Sequence, residues 1–149
     1  MKNETLFTEK QRFTQWWFWV IMLFVAAFAF ISANSNLEYI VAIAVILLLF
    51  IFNLNKEISS EGVQVQFFPF HLKKKFFAWD EIAKAEVREY SPLLEYGGWG
   101  IRRGKSGVAY NVKGNMGLQL VLKSGKKILI GTQKTEELKQ ILVERENKK

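Results

Sequence analysis

Two long apolar segments, residues 16–31 and 39–54, lie in the first third of the chain with a short polar break between them. Glu38, next to this break, is the only charged residue from position 13 to position 54. Both segments are apolar on every side rather than along one stripe, as is typical of helices surrounded by lipid. The pattern therefore predicts a hairpin of two transmembrane helices over residues 16–54.

Tryptophans mark the start of the first apolar segment. Trp16, Trp17 and Trp19 lie where an aromatic belt would meet lipid headgroups, so we expect them to act as interfacial anchors. A helix of about 17 residues reaches only about 26 Å, slightly less than the ~30 Å of a bilayer's hydrocarbon core. The prediction therefore requires that flanking residues or local thinning absorb the mismatch.

Positive charges flank the hairpin on both sides and are missing from the break within it. Lys10 and Arg12 precede the first segment, and Lys56 follows the second. The positive-inside rule then places both termini in the cytoplasm of a multi-pass protein of the cell membrane, with residues 1–15 as a cytoplasmic tail. The alternative, a cleaved signal peptide ending near residue 29, is disfavoured by a long and acidic leading region.

From residue 55 onward the pattern changes to alternation of apolar and polar residues, which is typical of half-buried strands. The stretch from 132 to 147 instead carries Leu138, Ile141 and Leu142 on one helical stripe. The sequence thus predicts a second, mainly β unit over residues 55–149 that ends in a helix. The predicted strand segments are 56–59, 63–67, 73–79, 83–90, 101–103, 108–112, 118–122 and 126–130.

Several phrases in the second unit carry a family resemblance: FAWDEI at 77–82, YGGWGIR at 96–102, GLQL at 117–120 and ILIGTQ at 128–133. Together with the strand order, they resemble bacterial membrane-anchored proteins with a pleckstrin-homology-like domain. The resemblance implies a partly open barrel of about seven antiparallel strands with a C-terminal helix, following two transmembrane helices. Because that fold hosts lipid-binding, peptide-binding and structural domains alike, it implies no single function.

The net charge of +7 comes almost entirely from the second unit, where two basic clusters stand out. Such clusters are candidate sites for an anionic lipid surface. They could equally be lysines that protect an edge strand, or arginines beside a β-turn. Trp99 is a further candidate anchor or a core residue. The candidate anion-binding residues are Lys73, Lys74, Lys75, Arg102 and Arg103.

Gly97, Gly98 and Gly100, just before the arginines, allow a second interpretation, in which their N–H groups cradle a phosphate. The Walker spacing is missing, and the chain has no cysteine and a single histidine, His71. We therefore expect no catalytic site, cofactor or metal. Nucleic acid is the other partner that a basic domain suggests, but we expect none here.

The expected function is a non-catalytic, membrane-anchored interaction module that binds the anionic inner leaflet or a partner protein. Its expected partners are membrane lipids, and a membrane protein or a second copy of the chain is a further possibility. Two alternatives remain open: a structural or accessory subunit of a larger membrane complex, and a membrane-associated enzyme.

Overall fold

A computed structural model describes residues 4–32, 35–104 and 106–147, apart from the side chains of residues 18 and 48–50. These ranges contain nine strands and four helices. In chain order they are β1 (Thr5–Arg12), α1 (Trp16–Ser32), α2 (Asn36–Ile51), β2 (Asn53–Ser59), β3 (Gly62–Phe68), β4 (Lys75–Ala78), β5 (Ile82–Glu89), α3 (Pro92–Tyr96), β6 (Gly100–Gly104), β7 (Gly107–Asn111), β8 (Met116–Leu122), β9 (Lys127–Gly131) and α4 (Thr135–Glu146).

The two apolar helices are an insertion between two paired strands. β1 and β2 pair antiparallel, and Arg12 at the end of β1 lies opposite Asn53 at the start of β2. The polypeptide therefore leaves the sheet through α1, turns, and returns through α2 to the neighbouring strand. Residues 5–12, expected to be part of a tail, form a strand of the same sheet as residues 53–59.

The prediction of transmembrane helices is wrong. α1 has 17 residues and α2 has 16, and neither is both long and apolar enough to cross a membrane; this holds for every helix in the described ranges. The physical reason is that the neighbouring residues are in the sheet. Arg12 precedes α1 and Asn53 follows α2, and both are strand residues, so neither helix can be extended at its sheet end. The helices are therefore about 25 Å long, shorter than the ~30 Å hydrocarbon core. The predicted multi-pass location in the cell membrane depends on these helices, so it is corrected as well.

The predicted barrel of about seven antiparallel strands is also corrected. The strands form a four-stranded sheet, ordered β1-β2-β3-β4, and a five-stranded sheet, ordered β5-β8-β9-β7-β6. The five-stranded sheet includes one parallel pair, β7 with β9. The additional strand is β1, in which only one of three inward-facing residues, Phe7, is apolar. The other two are Glu9 and Gln11, so the alternation of this strand is hidden in the sequence.

One apolar core joins both sheets to the C-terminal helix. Side chains from β2, β3, β8 and β9 form a single buried cluster. Leu138 of α4 is fully buried in it, with Ile141 and Leu142 packed beside it, which confirms the predicted stripe. At the far end of α4, the guanidinium of Arg145 lies 3.6 Å from the centre of the Trp79 ring.

A buried ion pair lies inside this core. Lys56 Nζ of β2 is 3.0 Å from Glu9 Oε2 of β1, and both side chains are almost completely removed from solvent. The carboxylate also accepts bonds of 2.7 Å from Thr132 Oγ1 and from the Gln133 backbone N–H, just before α4. Lys56 Nζ in turn donates to the Gly131 carbonyl at 3.3 Å. The pair thus joins the four-stranded sheet to the end of β9.

The electrostatics of Glu9 agree with this geometry. Burial alone would raise the pKa of its carboxyl, but the charge of Lys56 and the bonds from Thr132 and Gln133 outweigh burial and lower that pKa. Burial lowers the pKa of the Lys56 ammonium, and the charge of Glu9 offsets part of that effect. Each charge is therefore tolerated because the other is present.

We predict that Glu9→Gln destabilises the full chain by about 3–5 kcal/mol, because it leaves a buried ammonium without its counter-charge. Glu57→Gln is the matched control, since Glu57 lies on β2 in an exposed pair with Lys74, and its loss should cost no more than about 1 kcal/mol. Denaturant unfolding measures both values. Equal stability of the two variants would contradict the assignment.

Candidate anion-binding cleft

A cleft of about 870 Å³ is lined by several polar and charged side chains. Four cationic side chains line it, together with the single histidine and a tyrosine. No carboxylate is among the described residues of its wall. These six polar residues, named below as the basic cleft, are His71, Lys75, Arg103, Tyr110, Lys126 and Lys127.

Strand topology explains why residues so distant in sequence meet here. β7 and β9 run parallel, with Val108 opposite Ile128, so the first residues of both strands lie at one end of the sheet. The β6–β7 hairpin brings Arg103 to that same end, since Arg103 pairs with Val108. Lys75, on β4 at the edge of the other sheet, lines the cleft from the opposite side.

A glycine makes this close approach possible. Gly107 opens β7 with a φ of +104°, a conformation that residues with a side chain rarely adopt. A Cβ at this position would collide with the backbone carbonyl of Lys127. Any other residue at position 107 would therefore push β7 away from β9 and widen the cleft.

Tyr110 organises the cationic side of the cleft. Lys75 Nζ donates to the Tyr110 hydroxyl at 2.9 Å and lies 5.2 Å from the centre of its ring. The His71 imidazole meets the same ring edge-on, with 5.4 Å between ring centres. The His71 carbonyl accepts a bond from Gln66 Nε2, which holds the β3–β4 connection in place.

His71 carries an unused polar atom. Its Nδ1 is buried and has no hydrogen-bond partner among the residues that the structure describes. Partial burial, and next the charge of Lys75, lower the pKa of the imidazole. An anion in the cleft would offset the charge of Lys75 and offer a partner to a protonated ring.

The arrangement is suited to binding an anion. Lysine and arginine supply charge and directional N–H donors for phosphate or carboxylate oxygens. No carboxylate or thiol stands in the described wall as a base or nucleophile. Within the described ranges, no group of three His, Cys, Asp or Glu side chains could hold a metal ion.

The structure separates the five predicted anion-binding residues. Lys75 and Arg103 line the basic cleft. Lys74 Nζ instead pairs with Glu57 Oε2 at 2.8 Å, and Lys73 lies exposed in the β3–β4 connection. Arg102 lines a different cavity, because successive residues of β6 point to opposite faces of the strand.

The glycine loop does not form a phosphate cradle. The backbone N–H groups of Gly97 and Gly98 each donate at 2.9 Å, to the carbonyls of Leu93 and Pro92 respectively. The Gly100 N–H donates to the Asn111 side chain, also at 2.9 Å. These donors are already satisfied within the protein, so the loop is a structural turn that ends α3.

A second cavity of about 600 Å³ lies at the base of the helical hairpin and shares Ile101 with the basic cleft. We call this cavity the aromatic pocket. Its other described wall residues are Phe13, Phe52, Phe67, Phe70, Trp99, Gly100 and Arg102.

The expected aromatic anchors divide between this region and the surface. The Trp17 and Trp99 rings lie 5.7 Å apart, so the start of α1 contacts the loop before β6. Trp99 Nε1 donates to the Gly114 carbonyl at 3.2 Å. Trp16 is exposed, and Trp19 Nε1 donates to the Phe13 carbonyl at 3.1 Å. Their role as interfacial anchors stays a prediction.

A further group of titratable side chains surrounds α3. Arg88 holds Glu95 through bonds of 2.7 and 3.2 Å, and the Tyr90 hydroxyl accepts from Asn111 Nδ2 at 3.0 Å. Burial raises the pKa of Tyr90 to about 12. Because these side chains line neither cavity, we assign them to the packing of α3.

Sequence reasoning missed four of the six residues of the basic cleft: His71, Tyr110, Lys126 and Lys127. Lys126 and Lys127 open the predicted strand segment 126–130, with no site assigned to them, and the sequence predicts an exposed or interfacial position for His71. Tyr110 follows the alternation of an ordinary strand. No local pattern links these residues, since the parallel pairing of β7 with β9 brings Lys127 near β7, and a contact between the two sheets brings His71 to Tyr110.

Comparisons with known proteins add no relative: no family model matches the chain, and neither does any curated protein or solved structure.

We predict that His71 titrates below the ordinary histidine pKa in the free protein, because burial and Lys75 both disfavour the imidazolium. Lys75→Gln should raise this pKa, and so should sulfate, which stays divalent over the range measured. Lys84→Gln, on the distant strand β5, is the control and should leave it unchanged. Since His71 is the only histidine, its single imidazole NMR signal reports the titration. No response to Lys75→Gln would contradict the assignment.

Proposed function

We propose that this chain is a non-catalytic binding module whose basic cleft holds the phosphate groups of an anionic lipid surface. The observation that supports this most is the convergence of four cationic side chains in a cavity whose described wall has no carboxylate. Positive charge that no neighbouring carboxylate compensates attracts anions. Each Lys or Arg near an anionic lipid surface contributes about 1 kcal/mol.

Exposed apolar side chains beside the basic residues favour lipid over a free anion. Phe70 and Leu72, in the connection that leads to Lys75, are 65% and 78% exposed. Phe70 also stacks on Phe52 at 5.3 Å, which places this connection against the base of the helical hairpin. Basic residues together with exposed apolar groups are a common arrangement for contact with a lipid interface.

The double variant Lys75→Gln/Arg103→Gln should weaken binding of the full chain to phosphatidylglycerol-containing vesicles by up to about 2 kcal/mol, or roughly 30-fold. Both side chains are exposed, so little stability should be lost. The matched control is Lys84→Gln/Lys139→Gln, which removes the same charge from β5 and α4 and should bind almost as well as the unmodified chain. Vesicle co-flotation measures both affinities.

Two results would contradict the proposal. One is equal binding of the unmodified chain to neutral and anionic vesicles, because the cleft would then contribute no electrostatic attraction. The other is an equal loss in the two double variants, which would indicate general charge attraction without a role for the cleft. Binding that responds to the cleft should also weaken as salt rises, since the Debye length is only about 8 Å at physiological ionic strength.

A second candidate function rests on the helical hairpin. Large apolar side chains on both helices are open to solvent; Phe28 of α1, for example, is 73% exposed. Contiguous apolar surface of this kind marks an interaction site in most proteins. A structural subunit would cover it by packing the hairpin against another protein of a larger complex.

A photo-crosslinking amino acid at position 28 separates the two candidates. If the hairpin packs against a protein subunit, irradiation in cells should yield an adduct of one fixed higher mass, and the same probe at exposed Val143 of α4 should not. Adducts with lipid alone would contradict the second candidate. Mass spectrometry of the purified adducts identifies which result is obtained.

A further inference from the structure

The basic cleft and the aromatic pocket are neighbours with contrasting chemistry. Ile101 of β6 belongs to both walls, so one strand separates a cationic cavity from an apolar one. Each volume, about 870 and about 600 Å³, is in the range of about 300–1,000 Å³ that is usual for small-molecule sites.

Strand β6 distributes its two arginines between these cavities. Arg103 lines the basic cleft, whereas Arg102 lines the aromatic pocket. Arg102 Nε donates to the Trp99 carbonyl at 3.0 Å, which holds the guanidinium against the pocket. It is the only charged side chain among the described residues of that wall.

The aromatic pocket is built from side chains that come from three separate parts of the fold. Phe13 and Phe52 flank the helical hairpin, with 6.5 Å between ring centres, and Phe70 stacks on Phe52. Gly100, with a φ of +114°, adds no side chain to the wall. An apolar chain could therefore lie on aromatic rings within reach of Arg102.

We propose that the two cavities together bind one molecule of an anionic single-chain amphiphile, with its phosphate in the basic cleft and its hydrocarbon chain in the aromatic pocket. The proposal rests on the proposed function and specifies it further: the module holds an individual phosphate-bearing lipid, beyond general attraction to a charged surface. Charge complementarity selects the headgroup, and burial of the chain against aromatic rings supplies affinity.

Calorimetry on the full chain in a non-ionic amphipol tests this with three probes below their micelle concentrations. 1-Oleoyl lysophosphatidic acid carries both the phosphate and the chain. Glycerol 3-phosphate has no chain, and 1-oleoyl lysophosphatidylcholine has no net charge. We expect one molecule of the first probe per protein, bound at least tenfold more tightly than either of the others.

Phe70→Glu should remove the advantage of the chain, because it places a charge in the aromatic pocket. Lysophosphatidic acid should then bind this variant no more tightly than glycerol 3-phosphate binds the same variant. Leu94→Glu is the control, since Leu94 on α3 is 91% exposed and lines neither cavity. If Phe70→Glu fails to fold, Phe70→Ala should show the same loss in part.

The outcomes also separate this inference from the proposed function. Anionic vesicles bound through the cleft, with lysophosphatidic acid no tighter than glycerol 3-phosphate, would overturn the inference and leave the proposed function standing. Equal binding of the two oleoyl probes would overturn it as well, because the net negative charge of the headgroup would contribute nothing. Vesicle binding that does not depend on the cleft residues would instead overturn the proposed function itself.

Discussion

The ion pair between Glu9 and Lys56 is the constraint on which the arrangement of this fold depends. Two charges removed from water are tolerated only while each satisfies the other, and while Thr132, Gln133 and the Gly131 carbonyl complete the network. The pair sets β1 beside β2 and joins the four-stranded sheet to the end of β9. It also brings together the two strands from which the helical hairpin departs.

The cavities follow from the two sheets that this network joins. β4 and β6 are edge strands of their sheets, and edge strands are commonly protected by charged side chains. In this protein, charged side chains of these edge strands also line the two cavities. Lys75 on one edge and Arg103 on the other line the same cleft, while Arg102 serves the aromatic pocket on the opposite face of β6. The candidate binding residues of β4 and β6 thus lie on the edge strands of the two sheets.

Local pattern predicted the strands well, and its two main errors have physical causes. The eight predicted strand segments all correspond to observed strands, because alternation of apolar and polar residues is a local property. β1 was missed because buried charge and amide groups occupy positions where an apolar residue was expected. The apolar helices were predicted with nearly their observed lengths, and α1 with its observed start. The error was to expect that flanking residues would make up for their shortness, since strands β1 and β2 occupy those flanks and no described helix is long and apolar enough to cross a membrane.

The sequence by itself determined the elements: two apolar helices, alternating strands, a C-terminal helix with a buried Leu138, and an excess of positive charge in the second unit. Hydrophobic periodicity and charge are local, so they can be read directly from the chain. Only the tertiary structure decided which charges act together. Parallel pairing of β7 with β9 brings Arg103 and Lys127 to one end of the five-stranded sheet, and His71 joins them from the four-stranded sheet by contacting Tyr110. The alternation of β6 separates Arg102 from Arg103. Contacts between residues so distant in sequence depend on strand order, which no local pattern specifies.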